Sequence, residues 1–154
     1  MKQEDKNLLL KDLSSRLPYG VFCVGTTYEL DDDGERYIPV KVKDTLSEVH
    51  NYNLETASVR LGLISPCKLE TVKPYLRPMS NMTEEEMDKI EELLGNKCIF
   101  DFMSNGDVSL HQGNFTQNTL SKLYDFYNSI HVDYRGLIEK GLAIEVTAEN
   151  NPYE

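Results

Sequence analysis

The first apolar pattern of the chain predicts an amphipathic helix over residues 3–16. Four leucines recur close to one helical face: Leu9, Leu10, Leu13 and Leu17. Charged side chains separate them, as expected for a helix that buries one face. Pro18 ends the pattern, because a proline disfavours the helical conformation of the residue before it.

Alternation of apolar and polar residues then predicts three antiparallel strands. Residues 21–28 form the first strand, and an acidic turn follows at residues 31–34. The next two segments, 37–43 and 58–64, alternate with a period of two. Ile38, Val40 and Val42 share one face of the first of these segments, and Val59, Leu61 and Leu63 are the inward positions of the second. Pro39 has no N–H group, so the second strand is expected at a sheet edge or at a bulge.

The middle of the chain combines an irregular segment with a well-capped helix. Residues 65–82 contain prolines but are too apolar for a flexible linker, so we expect them to pack against the domain. Glu86 follows three residues after Thr83, which is the pattern of a capping box. A helix is therefore predicted over residues 84–94, with Gly95 as the residue that follows its end.

The last third of the chain predicts a hairpin, two helices and a strand. An Asn-Gly pair at residues 105–106 favours a type I′ turn between strands at residues 99–102 and 108–110. The remaining elements are two helices and a strand, over residues 117–130, 134–140 and 142–146.

Together these elements predict the α+β fold class. We expect a small antiparallel β-meander and hairpins packed with about three to four helices. A single domain is predicted over residues 1–146, and residues 147–154 are predicted to form a flexible, polar tail.

Charge excludes two classes of partner. The chain has 26 Asp and Glu against 16 Lys and Arg, a net charge of −10, and the excess lies mainly in residues 78–154. A protein that binds the nucleic-acid backbone needs a clustered basic surface, so we do not expect such binding. Attraction to anionic lipid is excluded on the same ground. No apolar run approaches the ~20 residues of a membrane span, and no signal-peptide core is present, so neither a membrane span nor export by a signal peptide is expected.

Motifs for catalysis and for metal binding are missing from the sequence. The three cysteines and three histidines show no ligand spacing, and no glycine-rich phosphate loop or nucleophile motif occurs. The acidic turn at residues 31–34 fails as a calcium loop, because Val40 stands where the last glutamate ligand is required. We therefore predict no catalytic residue, no metal and no cofactor, and we regard an enzyme as less expected than a binding protein.

The first candidate binding segment is basic and aromatic. Lys73, Tyr75 and Arg77 lie in a proline-stiffened stretch that runs into the start of the helix at residues 84–94. A helix N-terminus attracts anions, so an anionic ligand or an acidic peptide could bind there. The alternative is internal: the basic side chains pair with the glutamates at residues 84–86, and Tyr75 belongs to the core.

The second candidate segment places an imidazole, a phenol and a guanidinium within a few residues. These groups belong to His131, Tyr134 and Arg135, at the junction of two predicted helices. The alternative is structural, with Asp133 as a helix N-cap and Arg135 exposed.

Three motifs also carry a family resemblance. They are LKDL…RLPYG at residues 10–20, VKPYLRPMS with MTEE at residues 72–85, and DYRGLIEKGLA at residues 133–143. In this order they resemble a family of small proteins found in Bacteroides-type gut bacteria and in their phages and prophages. The resemblance implies a cytoplasmic protein associated with a phage or another mobile element. It supplies no activity and no site residues.

Three functional hypotheses follow. The first is a non-enzymatic binding protein that acts on a host protein, and its acidic half would steer it towards a basic partner surface. The second is a small-molecule-binding protein or a small enzyme with an anion pocket near Arg77 or Arg135. The third is a structural or assembly subunit. The acidic helix at residues 84–94 is either a binding face or a solvated surface, and the oligomeric state is left open.

Overall fold

The α+β class predicted from the sequence is confirmed. The computed structural model describes residues 1–50, 57–63, 66–94, 99–102, 108–111 and 117–154. Within these ranges the helices are α1 (Gln3–Arg16), α2 (Glu84–Leu94) and α3 (Gln117–Ser129). The strands are β1 (Phe22–Leu30), β2 (Tyr37–His50), β3 (Ser58–Leu61), β4 (Cys67–Lys68), β5 (Lys73–Leu76), β6 (Ile99–Phe102), β7 (Val108–His111) and β8 (Ile144–Glu145).

The chain forms two compact units. Unit 1 contains residues 1–76 and 135–154, and unit 2 contains residues 77–134. The single domain expected over residues 1–146 stays a prediction.

Unit 1 is built on a six-stranded sheet in the order β4-β3-β2-β1-β5-β8. The predicted meander of β1, β2 and β3 is antiparallel throughout, with Phe22 opposite Thr45 and Leu30 opposite Tyr37 in the first pair. A β-bulge interrupts the pairing of β2 with β3 between Leu46 and Glu48. Strand β8 is shorter than the predicted strand at residues 142–146 and pairs with β5 in parallel.

Helix α1 supplies one side of the core of unit 1, as its leucine pattern predicts. Leu9, Leu10 and Leu13 are buried, and they belong to one apolar cluster with Cys23 and Leu46 of the sheet. Pro18 lies in a short 3₁₀ turn directly after α1. Burial of this stripe is what gives the helix its stability, since a helix of this length is marginal alone in water.

Two predictions within unit 1 are wrong. Leu63 was expected inward on β3, but the strand ends at Leu61 and Leu63 is 100% exposed. The reason is that Gly62 has a φ of 55°, which turns the chain out of the extended conformation. The helix expected over residues 134–140 is a series of turns, because Gly136 adopts a left-handed φ of 69° in its middle.

The segment at residues 65–82 is more regular than expected. It contains β4, which pairs with β3 at one edge of the sheet of unit 1, and β5, which lies between β1 and β8. Its predicted packing is confirmed for Leu69, Val72 and Leu76, which are buried in the core of that unit.

Unit 2 holds two helices and a hairpin. Ile90 and Leu94 of α2 pack in one cluster with Leu123 and Tyr127 of α3, as their helical spacing predicts. Strands β6 and β7 are antiparallel, with Ile99 opposite His111. The predicted turn at residues 105–106 and Gly95 lie outside the described residues.

The capping box at the start of α2 is confirmed. The backbone N–H of Glu86 donates to the Thr83 hydroxyl at 3.2 Å, and the backbone N–H of Thr83 donates to the Glu86 carboxylate at 2.8 Å. Each side chain thus satisfies a donor that the helix itself leaves without an acceptor.

Thr83→Ala is expected to lower the free energy of unfolding by about 1 kcal/mol, because it removes the acceptor for the Glu86 N–H. Chemical denaturation of the variant against the wild type measures the loss. Ser80→Ala, an exposed change in the preceding turn, is the control and should have a smaller effect. An unchanged midpoint for Thr83→Ala would contradict the cap.

Candidate functional site

The six candidate residues divide between the two units. Lys73, Tyr75 and Arg135 belong to unit 1, whereas Arg77, His131 and Tyr134 belong to unit 2.

Arg77 is held by α2 rather than offered to a ligand. Its guanidinium donates two hydrogen bonds to the Glu86 carboxylate, at 2.7 and 3.0 Å, and one to the carbonyl of Asn81 at 2.7 Å. Burial acts to raise the pKa of Glu86, but hydrogen bonds from Arg77 and Thr83 outweigh it and lower that pKa below its usual value. The geometry is that of the internal alternative considered for Arg77.

His131 and Tyr134 lie close to Arg77 along the backbone of unit 2. The N–H of Arg77 donates to the carbonyl of His131 at 2.9 Å, and the N–H of Asp133 donates to the carbonyl of Arg77 at 2.8 Å. Tyr134 stacks on Tyr124 with ring centroids 5.4 Å apart, and its hydroxyl donates to Asn128. These contacts fix the end of α3 and give His131 and Tyr134 structural positions.

Arg135 belongs to a buried polar cluster on α1. Its guanidinium lies 3.1 Å from the carboxylate of Asp12 and 2.9 Å from the hydroxyl of Ser15. Arg16 reaches the same carboxylate at 2.8 Å, and both Asp12 and Arg16 are fully buried. The cluster attaches the segment after unit 2 to α1 within unit 1.

Lys73 and Tyr75 lie on a different surface of unit 1, which we call the outer face. It consists of the side of β1 and β2 that faces away from α1, and its positions are Phe22, Val24, Thr26, Tyr28 and Leu30, opposite Thr45, Lys43, Lys41, Pro39 and Tyr37. Strand β5 extends this face, because Lys73 is opposite Val24. The ammonium of Lys43 lies 4.6 Å from the centroid of the Tyr75 ring, a cation–π contact.

A C-terminal tyrosine closes one end of the outer face. The hydroxyl of Tyr153 donates to the carbonyl of Tyr75 at 2.7 Å and accepts from the N–H of Phe22 at 3.3 Å, and its ring meets Phe22 edge to face. Burial is the main cause of the raised pKa of Tyr153. Residues 147–154, which are predicted to form a flexible tail, thus include a side chain that bonds to β1 and β5.

Residues 26–30 and 37–43, which we call the arm, form the other end of β1 and β2. The inner side of the arm packs on the core through Val40 and Val42, and its tip carries large apolar side chains on the surface. Tyr37 is 71% exposed, Leu30 53%, Tyr28 47% and Ile38 46%. Most isolated surface leucines need no explanation, but a group on one element marks an interaction surface.

Positive charge accompanies these side chains. Lys41, Lys43 and Lys73 are exposed on the outer face, and the outer positions where β1 pairs with β2 contain no carboxylate. The nearest outer carboxylate on β2 is Glu48, past the bulge, where it lies opposite Arg60 of β3. Acidic residues lie at the tip of the arm, where Asp31 accepts hydrogen bonds from the N–H groups of Glu35 and Arg36. The outer face is thus locally basic although the chain is acidic.

The acidic residues of α2 remain on a surface. The acidic residues at exposed positions of this helix are Glu84, Glu85, Asp88, Glu91 and Glu92. Lys89 pairs with Glu92 at 2.6 Å, an exposed contact of small stabilising effect. A basic partner for this helix stays a prediction.

Chemistry based on the two described thiols is disfavoured by their surroundings. Cys23 and Cys67 are both buried, and burial is the main cause that raises the pKa of each thiol. Only the thiolate is a good nucleophile, so neither side chain is activated. Among the described residues, no group of His, Cys, Asp or Glu is arranged to hold a metal ion. In the same part of the chain, no helix is both long enough and apolar enough to cross a membrane.

The arm was missed by sequence reasoning although its strands were predicted. The alternation of residues 37–43 places Tyr37, Lys41 and Lys43 on one side, but exposure of that side depends on where β3 and β5 end. A signal was present in Pro39, which favours an unpaired edge.

The chain matches no protein-family model, and neither a curated protein nor a solved structure shows significant similarity to it.

Proposed function

We propose that the protein is a non-enzymatic binding protein that engages a partner protein through the arm. The observation that carries the proposal is the exposure of Tyr28, Leu30 and Tyr37 side by side on the outer face. Covering apolar surface is favourable by roughly 25 cal/mol per Å². Tyrosines are also enriched among the residues that contribute most to binding energy.

The proposed partner is a host protein met in the cytoplasm. The resemblance to a family from gut bacteria and their phages supports this setting and a phage or mobile-element origin. The arm supports a protein rather than a small molecule, because its apolar residues lie on the surface of a two-stranded element. Small ligands instead favour concave, enclosed sites.

An anion pocket at either candidate arginine has no comparable support. The donors of Arg77 are directed at Glu86 and Asn81, and Arg135 donates to Asp12 and Ser15. Displacing these acceptors would break charge-assisted hydrogen bonds between partly buried groups, which is costly.

Affinity capture from the native host, followed by mass spectrometry, tests the arm. The variant combines Tyr28→Thr, Leu30→Thr and Tyr37→Thr, which removes apolar surface but retains residues that favour strands. The wild type should recover a stoichiometric host protein that the variant loses. Denaturation first verifies that the variant is folded.

Leu63→Thr is the matched control, because Leu63 is fully exposed in unit 1 but lies outside the arm. The control should recover the same host protein as the wild type. Equal recovery by the arm variant would overturn the proposal. So would a wild-type sample that contains a co-purified small molecule and no protein.

A further inference from the structure

The backbone groups along β2 alternate between two edges. The N–H of Leu46 donates to Val21, and the carbonyl of Arg36 accepts from Asp31, so even-numbered residues of β2 point towards β1. Antiparallel pairing alternates residue by residue, which directs the odd-numbered residues to the other edge. The carbonyl of Thr45 confirms this direction, because it accepts from the N–H of Gly62 at the end of β3.

On the N-terminal side of Thr45, residues 37–44 of β2 have no partner strand along this second edge among the described residues. Strand β3 pairs with β2 only from Leu46 to His50. The residues that point to the open edge are Tyr37, Pro39, Lys41 and Lys43. They offer a row of carbonyl groups and the N–H groups of all but Pro39, which is a ready-made template for another strand.

We propose that this open edge binds an extended acidic segment of the partner as an added strand. The inference rests on the proposed function and names the class of partner segment. Main-chain hydrogen bonds to the edge provide affinity, and side chains at alternate positions provide specificity. The side chains of Lys41 and Lys43 project from the edge onto the outer face, where Lys73 adds a third positive charge.

Charge decides between the possible occupants. Two copies of this chain paired along the edge would gather four lysines on one face of the joint sheet, and the edge residues Tyr37, Pro39, Lys41 and Lys43 include no carboxylate to offset them. Like charges that face each other directly across two strands are destabilising. An acidic segment instead pairs with those lysines. A nucleic acid would meet the acidic tip at Asp32, Asp33 and Glu35 and cannot extend the ladder of the sheet.

The register of the arm defines the pattern of the segment. Residues opposite Lys41 and Lys43 should be acidic, and the next two alternate residues, opposite Pro39 and Tyr37, should be apolar. On β1, Tyr28 lies beside Pro39 and continues the apolar surface. The segment therefore carries two acidic and then two apolar residues at every second position, or the same order reversed for the other strand direction.

The test uses two synthetic peptides with glutamates and leucines in this pattern, one in each direction, and matched peptides with lysine in place of glutamate. Amide exchange of the ¹⁵N-labelled protein is measured by NMR. A glutamate peptide should protect the N–H groups of Tyr37, Lys41 and Lys43. It should leave Ile38, Val40 and Val42 unchanged, because these already bond to β1. Peptide binding without new protection at Lys41 and Lys43 would overturn strand addition.

Charge reversal gives a second readout. The double variant Lys41→Glu with Lys43→Glu should bind the glutamate peptide about tenfold more weakly and should gain affinity for the lysine peptide. Lys2→Glu with Lys11→Glu changes the net charge equally at exposed positions of unit 1 and should leave both affinities close to wild type. An equal effect of the two double variants would overturn the role of the edge lysines.

The outcomes separate this inference from the proposed function. If the arm variant loses the captured host protein but neither glutamate peptide binds, the strand-addition inference falls and the proposed function stands. If the arm variant retains the host protein, both fall. Tighter binding of a single-stranded oligonucleotide than of either glutamate peptide would overturn the acidic peptide as occupant.

Discussion

Replacing Asp12 with alanine is expected to lower the free energy of unfolding by about 3–5 kcal/mol. Asp12 is fully buried and accepts from Arg16 at 2.8 Å and from Arg135 at 3.1 Å. Removal of the carboxylate takes away an acceptor that both guanidinium groups share in a largely buried cluster. Breaking a buried network of ion pairs and hydrogen bonds is among the few causes of so large a loss. Equilibrium denaturation with urea measures it.

Asp125→Ala is the control for this prediction, because Asp125 is an exposed aspartate on α3. It should change the free energy of unfolding by about 0.5 kcal/mol or less. The two variants can also be compared at low and at high salt. The free energy lost in Asp12→Ala should depend little on salt, since buried ion pairs are screened much less than exposed ones. A loss below about 1 kcal/mol for Asp12→Ala would mean that the cluster contributes little to the stability of unit 1.

Local patterns were enough to predict most of the elements. The leucine spacing before Pro18 gave the bounds of α1, and Thr83 with Glu86 gave the start of α2. Both patterns act within a few residues of the chain. The predicted helix at residues 134–140 failed for an equally local reason, because Gly136 is free to adopt the left-handed conformation that ends a helix.

Pairings between distant residues were not predictable in the same way. Arg135 was predicted as a candidate binding residue, but its partner Asp12 is far away in the chain, where the sequence shows it only as a charged residue between the leucines of α1. A signal existed: Asp12 and Arg16 stand four residues apart and flank Leu13 on the buried stripe of α1. Charged residues at such positions are rarely fully buried unless they are paired.

The candidate site shows the same division between local and distant information. Lys73 and Tyr75 do lie on the outer face, next to the arm, whereas Arg77 is bound by Glu86. The sequence identifies the alternating strand that carries Tyr37. It does not show that β3 stops at Leu61 and leaves the far half of β2 exposed, because that depends on the φ of Gly62.

Gly25→Ala is expected to lower the free energy of unfolding by about 1–3 kcal/mol, through overpacking. Gly25 lies on the inner side of β1, where a Cβ atom would stand 2.9 Å from the Sγ atom of Cys67 and 3.3 Å from Cγ2 of Val72. Cys67 is fully buried on β4, so its sulfur has little room to move away. The glycine is thus required for the close approach of β4 to β1, and thermal or urea denaturation measures the effect of filling that space.

A second variant tests the cause of that loss. Cys67→Ala removes the sulfur, so the double variant Gly25→Ala with Cys67→Ala should be more stable than the sum of the two single changes by about 1 kcal/mol. Thr26→Ala, on the outer face of the same strand, is the control and should cost less than Gly25→Ala because it adds no atom to the core. If the losses of the two single variants simply add in the double variant, the contact with the Cys67 sulfur is not the cause of the loss in Gly25→Ala.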